Sequence, residues 1–201
     1  MTTDSSTTIR RATPADAAGV AEIIATAFAP LAAVRWLVPE PAERTRVMTA
    51  NFRIFVEHAI EYGYVDLIDE APAAAVWFPR TGPLPEPADY DRRLAAACGR
   101  WTDRFRVLDS LFEDNHPSEP HHHLALLAVQ PGRQGGGLGS VLLRRAHAEL
   151  DAAAIPAYLE ASSTRSRDLY LRHGYEVREP FRLPDGTPFW PMWRPPRLAP
   201  P

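Results

Sequence analysis

The chain has 201 residues, of which 45% are hydrophobic and 23% are charged, and its formal net charge is -3. This size favours one domain over residues 1–201, and the near balance of charge argues against a nucleic-acid-binding protein, which needs a strongly basic face. A single cysteine excludes an intramolecular disulfide, the polar N-terminus does not resemble a signal peptide, and no apolar run approaches the roughly 18 residues of a membrane span, so we expect a cytoplasmic protein.

The first half of the chain is predicted to be mostly helical. Thr13, Pro14 and Asp16 are typical of a helix start, with a capping hydroxyl, a proline in the first turn and a carboxylate three residues after the cap. This helix is predicted to end near Phe28. The other elements predicted here are an extended segment at 9–11, helices at 41–62, 89–98 and 101–115, and a strand hairpin at 64–69 and 73–78. The proline-rich segment 79–87 is predicted to be a surface loop.

The second half alternates between strands and helices. Strands are predicted at 121–129, 157–161, 175–183 and 189–194, with helices at 138–150 and 165–172. The whole pattern indicates a mixed α/β protein. We expect residues 1–8 and 195–201 to be flexible tails.

A glycine run follows the longest of these strands. Gln134 is followed by three glycines, Leu138, Gly139 and Ser140, and then by a helix with one apolar face. Glycines at the start of a helix let free backbone N–H groups approach a ligand, and together with the helix dipole these groups favour a phosphate. The alternative is a flexible loop before an ordinary helix.

Two common phosphate motifs do not fit this run. A P-loop needs a lysine after its last glycine, but Ser140 follows Gly139 directly. A dinucleotide-binding turn needs its first glycine directly after the strand, but five residues separate Val129 from Gly135. Glu160 lies 21 residues after Gly139, where that motif places an acidic residue, yet too little chain follows to complete such a fold.

The run resembles the acetyl-CoA-binding motif of the GNAT superfamily of N-acetyltransferases, Gln/Arg-x-x-Gly-x-Gly/Ala. Here it is Gln134-x-x-Gly137-x-Gly139, and the later segment from Leu169 to Tyr175 resembles that family's Leu-Tyr-x-x-x-Gly-Phe/Tyr helix end. The resemblance implies the GNAT fold, a mixed central β-sheet of six to seven strands flanked by helices. It implies acetyl-CoA as acyl donor and a small-molecule primary amine as acceptor.

Four further segments resemble the puromycin N-acetyltransferase group. They lie at 74–77, 116–120, 137–140 and 156–162. This likeness suggests an aminonucleoside or another antibiotic as acceptor. A non-catalytic acyl-CoA-binding module and a protein lysine or N-terminal acetyltransferase remain alternatives, and the protein is expected to be a monomer or homodimer.

The resemblance assigns the donor site to consecutive residues. The end of the strand is expected to pair with the pantetheine arm, and the loop and first helical turn are expected to bind the pyrophosphate. Arg133 or Arg144 would add positive charge to the phosphate contacts. Ser163 would replace an asparagine that many members of the family use. The donor-binding set is Leu127, Ala128, Val129, Arg133, Gln134, Gly135, Gly136, Gly137, Leu138, Gly139, Ser140, Ser163 and Tyr170.

Four residues are candidates for catalysis. By resemblance Tyr170 is the acid that protonates the departing thiolate, although it could instead be an aromatic residue of the core. His121 and His123 share one side of a strand because side chains alternate, and His123 matches a histidine position of arylalkylamine acetyltransferases. Glu160 is the alternative base, acting through water. No nearby Cys or Asp completes a ligand set with the two histidines, so no metal is expected.

Overall fold

A computed structural model describes residues 8–69 and 72–197. The helices are α1 (Ala17–Phe28), α2 (Ala32–Leu37), α3 (Pro41–Tyr62), α4 (Tyr90–Cys98), α5 (Thr102–Asn115), α6 (Leu138–Ala152) and α7 (Thr164–Arg172). The strands are β1 (Arg10–Arg11), β2 (Tyr64–Ile68), β3 (Ala73–Arg80), β4 (His121–Val129), β5 (Ala157–Ala161), β6 (Glu176–Val177), β7 (Phe181–Arg182) and β8 (Pro188–Arg194). Most of both predicted tails, residues 1–7 and 198–201, lies outside the described residues.

The strands form one open sheet in the order β1-β2-β3-β4-β5-β8-β6, and β7 pairs with β8 outside this path. Among the strand pairs that the structure describes, only β4 and β5 are parallel and the others are antiparallel. The mixed α/β fold with a helix-flanked sheet is therefore confirmed. No described helix is long and apolar enough to cross a membrane.

The sheet separates two layers of helices. On one face, apolar side chains of α1, α3, α4 and α5 pack against Ala74, Val76 and Phe78 of β3. On the other face, α6 and α7 pack against Ala73, Ala75 and Trp77 of the same strand. Burial of β3 on both faces explains its almost uninterrupted apolar sequence.

The fold differs from the sequence prediction in two places. Helix α2 was not predicted, because a six-residue apolar helix shows too little periodicity. The strand predicted at 175–183 is divided into β6 and β7, with Pro180 between them. Proline has no N–H to donate to a neighbouring strand, so it interrupts the pairing.

Candidate active site

The central feature of the site is the separation of β4 from β5. The two strands pair only at their beginnings, through His122 with Ala157 and His123 with Tyr158. Beyond His123 the described β4 residues have no partner in β5, although β3 pairs with β4 as far as Val129. Backbone polar groups on one edge of β4, including those of the predicted segment Leu127 to Val129, are thus available to an extended ligand.

A bulge lies at the start of this separation. Trp77 of β3 pairs with Leu124 and Val76 pairs with Leu126, which leaves Ala125 as an extra residue in β4. Ala125 and Leu126 consequently both pack toward α1 and α3, whereas Leu127 and Val129 pack toward α6. Bulges bend a strand and increase its twist, and this one lies where the pairing of β4 with β5 ends.

The glycine loop joins the end of β4 to α6. Gly132, Gly135 and Gly137 have φ of +85°, +86° and +84°, a conformation that other residues rarely adopt. Gln134 donates a hydrogen bond from Nε2 to the Val129 carbonyl at 3.1 Å, which closes the loop against the strand. Residues 131–137 are exposed, and Arg133 is the only charged residue from 130 to 140.

The first turn of α6 faces the end of β4. Gly137 is the N-cap residue, and its carbonyl accepts from the Val141 N–H at 3.0 Å. The N–H groups of Leu138, Gly139 and Ser140 precede the first helical hydrogen bond and are available to an anion. A Cβ on Gly139 would lie 3.7 Å from both Leu127 and Leu169, so the helix approaches the strand closely here. This part of the site suits a phosphate ligand, because it combines free donors with no acidic side chain.

On the opposite face of the sheet, the structure brings His123 and Glu160 together. His123 Nε2 and Glu160 Oε2 are 2.8 Å apart, and their side chains are 14% and 5% exposed. A carboxylate can only accept, so His123 donates from Nε2 and keeps the lone pair of Nδ1 free when it is neutral. Burial alone would raise the pKa of Glu160, but His123, His116 and Tyr158 together lower it, which keeps the carboxylate ionised.

His121 lies beside this pair and carries its ring proton on the other nitrogen, Nδ1. Its Nδ1 is 2.7 Å from the Glu119 carbonyl oxygen, which requires a proton on Nδ1 and leaves Nε2 as the acceptor. Burial, aided by the positive charge of neighbouring groups, lowers the pKa of His121 to about 4. His121 is therefore a neutral residue that is only 1% exposed.

Two residues of this cluster were not predicted. His116, directly after α5, has Nδ1 3.8 Å from Glu160 Oε1, and its ring centroid lies 5.0 Å from those of His121 and His123. Tyr158 of β5 donates from its hydroxyl to the Asn115 carbonyl at 3.3 Å and packs against all three histidines. Tyr158 is two residues before Glu160 on β5, so the alternation of side chains puts both on the same face of the strand. The sequence alone could have indicated this neighbour of Glu160.

Tyr170 lies on the α6 side of the sheet. It is 7% exposed and packs with Leu124, Ala161 and Tyr175, while His123 and Glu160 face the other side. Burial raises its pKa, so the phenol stays protonated. The structure thus does not place Tyr170 in the histidine cluster. Tyr170 and the cluster lie on opposite faces of the sheet, at the gap between β4 and β5.

Ser163 is the N-cap residue of α7. Its hydroxyl accepts a hydrogen bond from the Ser166 N–H at 3.1 Å, and the Ser166 hydroxyl accepts one from the Ser163 N–H at 3.2 Å. These two hydrogen bonds form a capping box. Ser163 therefore has a structural role as a helix cap, and its contact with a ligand stays a prediction. Within the described ranges, no group of three or more His, Cys, Asp or Glu residues is arranged to hold a metal ion.

Comparison with known proteins finds a family model that matches the part of the chain containing this site. Residues 112–194 match the family model described as an acetyltransferase (GNAT) domain. By this match, the C-terminal part of the chain is similar to a GNAT acetyltransferase domain. It contains the cluster around Glu160, the separated strands and the glycine loop.

Solved structures extend the similarity beyond this segment. A structure from Corynebacterium glutamicum, described as histone acetyltransferase HPA2 and related acetyltransferase, is 29% identical, covers 96% of this chain and 97% of its own, and has a TM-score of 0.70. A mosquito protein described as arylalkylamine N-acetyltransferase like 5b is 17% identical over 94% of this chain and 99% of its own, with a TM-score of 0.60. An agmatine N-acetyltransferase variant is 16% identical over 92% and 97%, with a TM-score of 0.59. With the family match, these findings point to an acetyl-CoA-dependent acetyltransferase.

Proposed function

We propose that this GNAT domain transfers the acetyl group of acetyl-CoA to the primary amine of a small molecule, such as an aminonucleoside or another antibiotic. The observation that carries this proposal is the hydrogen-bonded pair of His123 and Glu160 next to the separated strands. A protein that only binds a ligand does not need an oriented base there. The resemblance of segments 74–77, 116–120, 137–140 and 156–162 to the puromycin N-acetyltransferase group, read from the sequence, favours this class of acceptor.

The donor half of the proposed site is built around α6. The unpaired edge of β4 from Leu127 to Val129 would hydrogen-bond the pantetheine arm, and Ser163 lies at the end of β5 on the other side of the gap. The N–H groups of residues 135–140 would hold the pyrophosphate, with Arg133 supplying positive charge. Acetyl-CoA supplies the activated acetyl group when it is bound in this half.

In the acceptor half, His123 is the proposed general base. Its Nδ1 lone pair takes a proton from the substrate amine, and Glu160 stabilises the resulting imidazolium through Nε2–H. Glu160 is then a positioning residue. His121 is less suited to this task, because it is neutral, buried and bonded to the Glu119 carbonyl; we assign it to the wall of the site.

Tyr170 is the proposed general acid. Burial raises the pKa of its phenol, so the proton is present at neutral pH, and transfer to a thiolate then depends on close approach. A base on one side of the sheet and an acid on the other suit a reaction centre between β4 and β5. Neither proton needs to cross the sheet.

The direct test measures release of free thiol from acetyl-CoA with a panel of amines. The panel contains puromycin, an arylalkylamine, agmatine and a lysine-rich peptide, because the 29% identical structure is described as a histone acetyltransferase. Release with a small amine above the hydrolysis background supports the proposal. Release with the peptide alone favours a protein acetyltransferase. Binding of CoA without turnover of any amine would leave a non-catalytic module.

A further inference from the structure

A group of arginines surrounds the contact between α6 and α7. Ser140, in the first turn of α6, has its hydroxyl oxygen 2.9 Å from His173 Nε2. His173 is the C-cap residue of α7, and its ring is half-buried. This hydrogen bond joins the C-terminal end of α7 to the proposed phosphate-binding turn, so side chains around His173 border that turn.

Three exposed arginines lie at this junction. Arg144 is one helical turn after Ser140, and Arg172 directly precedes His173. Arg197 comes from the segment after β8, and a Cβ on Gly174 would be only 2.7 Å from its Nη2. The three guanidinium groups therefore come from three separate parts of the chain.

Among the described residues, the guanidinium groups of these three arginines are not used in ion pairs. Asp151 pairs with Arg194 at 2.7 Å and accepts from the backbone N–H of Arg197 at 2.8 Å, and Asp168 pairs with Arg167 at 3.1 Å. Over residues 8–69 and 72–197, no carboxylate side chain forms an ion pair with Arg144, Arg172 or Arg197. The pKa of His173 is lowered by burial and then by these three arginines and Arg194, which indicates that their positive fields overlap at this point. Unpaired guanidinium groups concentrated in this way favour an anionic ligand.

We infer that Arg144, Arg172 and Arg197 bind the ribose 3′-phosphate of coenzyme A. This inference rests on the proposed function, which places the pyrophosphate at the adjacent first turn of α6. A phosphomonoester is the most highly charged group of the donor, and its three terminal oxygens suit several guanidinium groups at once. The arginines would then select CoA over forms of the donor that lack this phosphate.

The test compares the binding of CoA and 3′-dephospho-CoA to the full chain by titration calorimetry. The two ligands differ only in the phosphate, so the ratio of their dissociation constants isolates its contribution. The variants are the double substitution Arg172→Gln and Arg197→Gln, and the single substitution Arg144→Gln. Arg46→Gln is the matched control, because Arg46 is an exposed arginine on α3, across the sheet from α6.

We expect the unmodified protein and the Arg46→Gln control to bind CoA at least about tenfold more tightly than dephospho-CoA, as one or more charge-assisted contacts require. The double variant should lose most of this preference while its affinity for dephospho-CoA stays unchanged, which also shows that it is folded. Arg144→Gln should reduce the preference in part.

Equal affinity of the unmodified protein for both ligands would overturn the inference but leave the proposed function intact. A preference that survives in all the variants would overturn the assignment to these arginines. If neither ligand binds, the proposed function itself fails, and the inference fails with it.

Discussion

Replacement of Glu160 by glutamine tests whether this carboxylate acts through His123. Glutamine keeps the shape of the side chain and an oxygen that can accept from Nε2–H, but it removes the charge that stabilises the imidazolium. A hydrogen bond to a charged partner contributes about 1.5–3 kcal/mol. Since about 1.4 kcal/mol corresponds to a factor of ten, we expect Glu160→Gln to lower kcat/KM for the amine by about 10- to 150-fold.

The assay is steady-state thiol release at several concentrations of amine and of acetyl-CoA. The KM for acetyl-CoA should change little, because Glu160 lies across the sheet from the glycine loop and α6. Glu149→Gln is the matched control: this carboxylate is 48% exposed, pairs with Arg11 at 2.7 Å and lies on α6 away from the histidine cluster. A thermal melt of each variant separates loss of activity from loss of folding.

A double-mutant cycle decides between a direct role of Glu160 and a role through the histidine. In a His123→Gln background, Glu160→Gln should have little further effect on kcat/KM, because the base that Glu160 orients is absent. Independent, additive losses would mean that Glu160 acts without His123. Full activity of Glu160→Gln in a folded protein would refute the assignment of this pair to catalysis.

Three further predictions concern other parts of the molecule. Tyr170→Phe should lower kcat at least about tenfold while the Kd for CoA stays constant, since only the proton donor is removed; an unchanged kcat would exclude it as the acid. Gly137→Ala should destabilise the protein by about 1–2 kcal/mol and weaken CoA binding, because Gly137 has φ of +84°, whereas Gly136→Ala, at ordinary φ, should change the melting temperature less. His147 is buried, and burial lowers its pKa to about 3. As pH falls, the unfolded chain therefore takes up a proton at this residue before the folded chain does, so the free energy of unfolding should fall below about pH 6.5. Urea melts from pH 7.5 to 5 should show a weaker decline of the free energy of unfolding for His147→Gln.

The elements that form the proposed donor half were largely predictable from the sequence. Its parts follow one another along the chain as β4, a glycine loop and the start of α6, so local patterns were sufficient to locate them. The positive φ of Gly135 and Gly137 is the physical reason for glycine at those positions. The sequence also predicted the bounds of β4 and β5, because both are apolar strands of ordinary length between clear breaks.

The proposed acceptor half depends on the register between β4 and β5, which the sequence did not reveal. His123 contacts Glu160 because β5 pairs in parallel with β4 at His123 and Tyr158, and a shift of one residue would turn Glu160 to the opposite face. His116 joins the same carboxylate from a third element, through the end of α5, and its sequence neighbours show no pattern that predicts the contact. Buried polar atoms here, His116 Nε2, His121 Nε2 and Glu160 Oε1, have no hydrogen-bond partner among the described residues. Leaving such groups unsatisfied costs about 1–3 kcal/mol each, so this polar cluster stabilises the fold less than apolar side chains would, which favours a functional role for the His123–Glu160 pair at its centre.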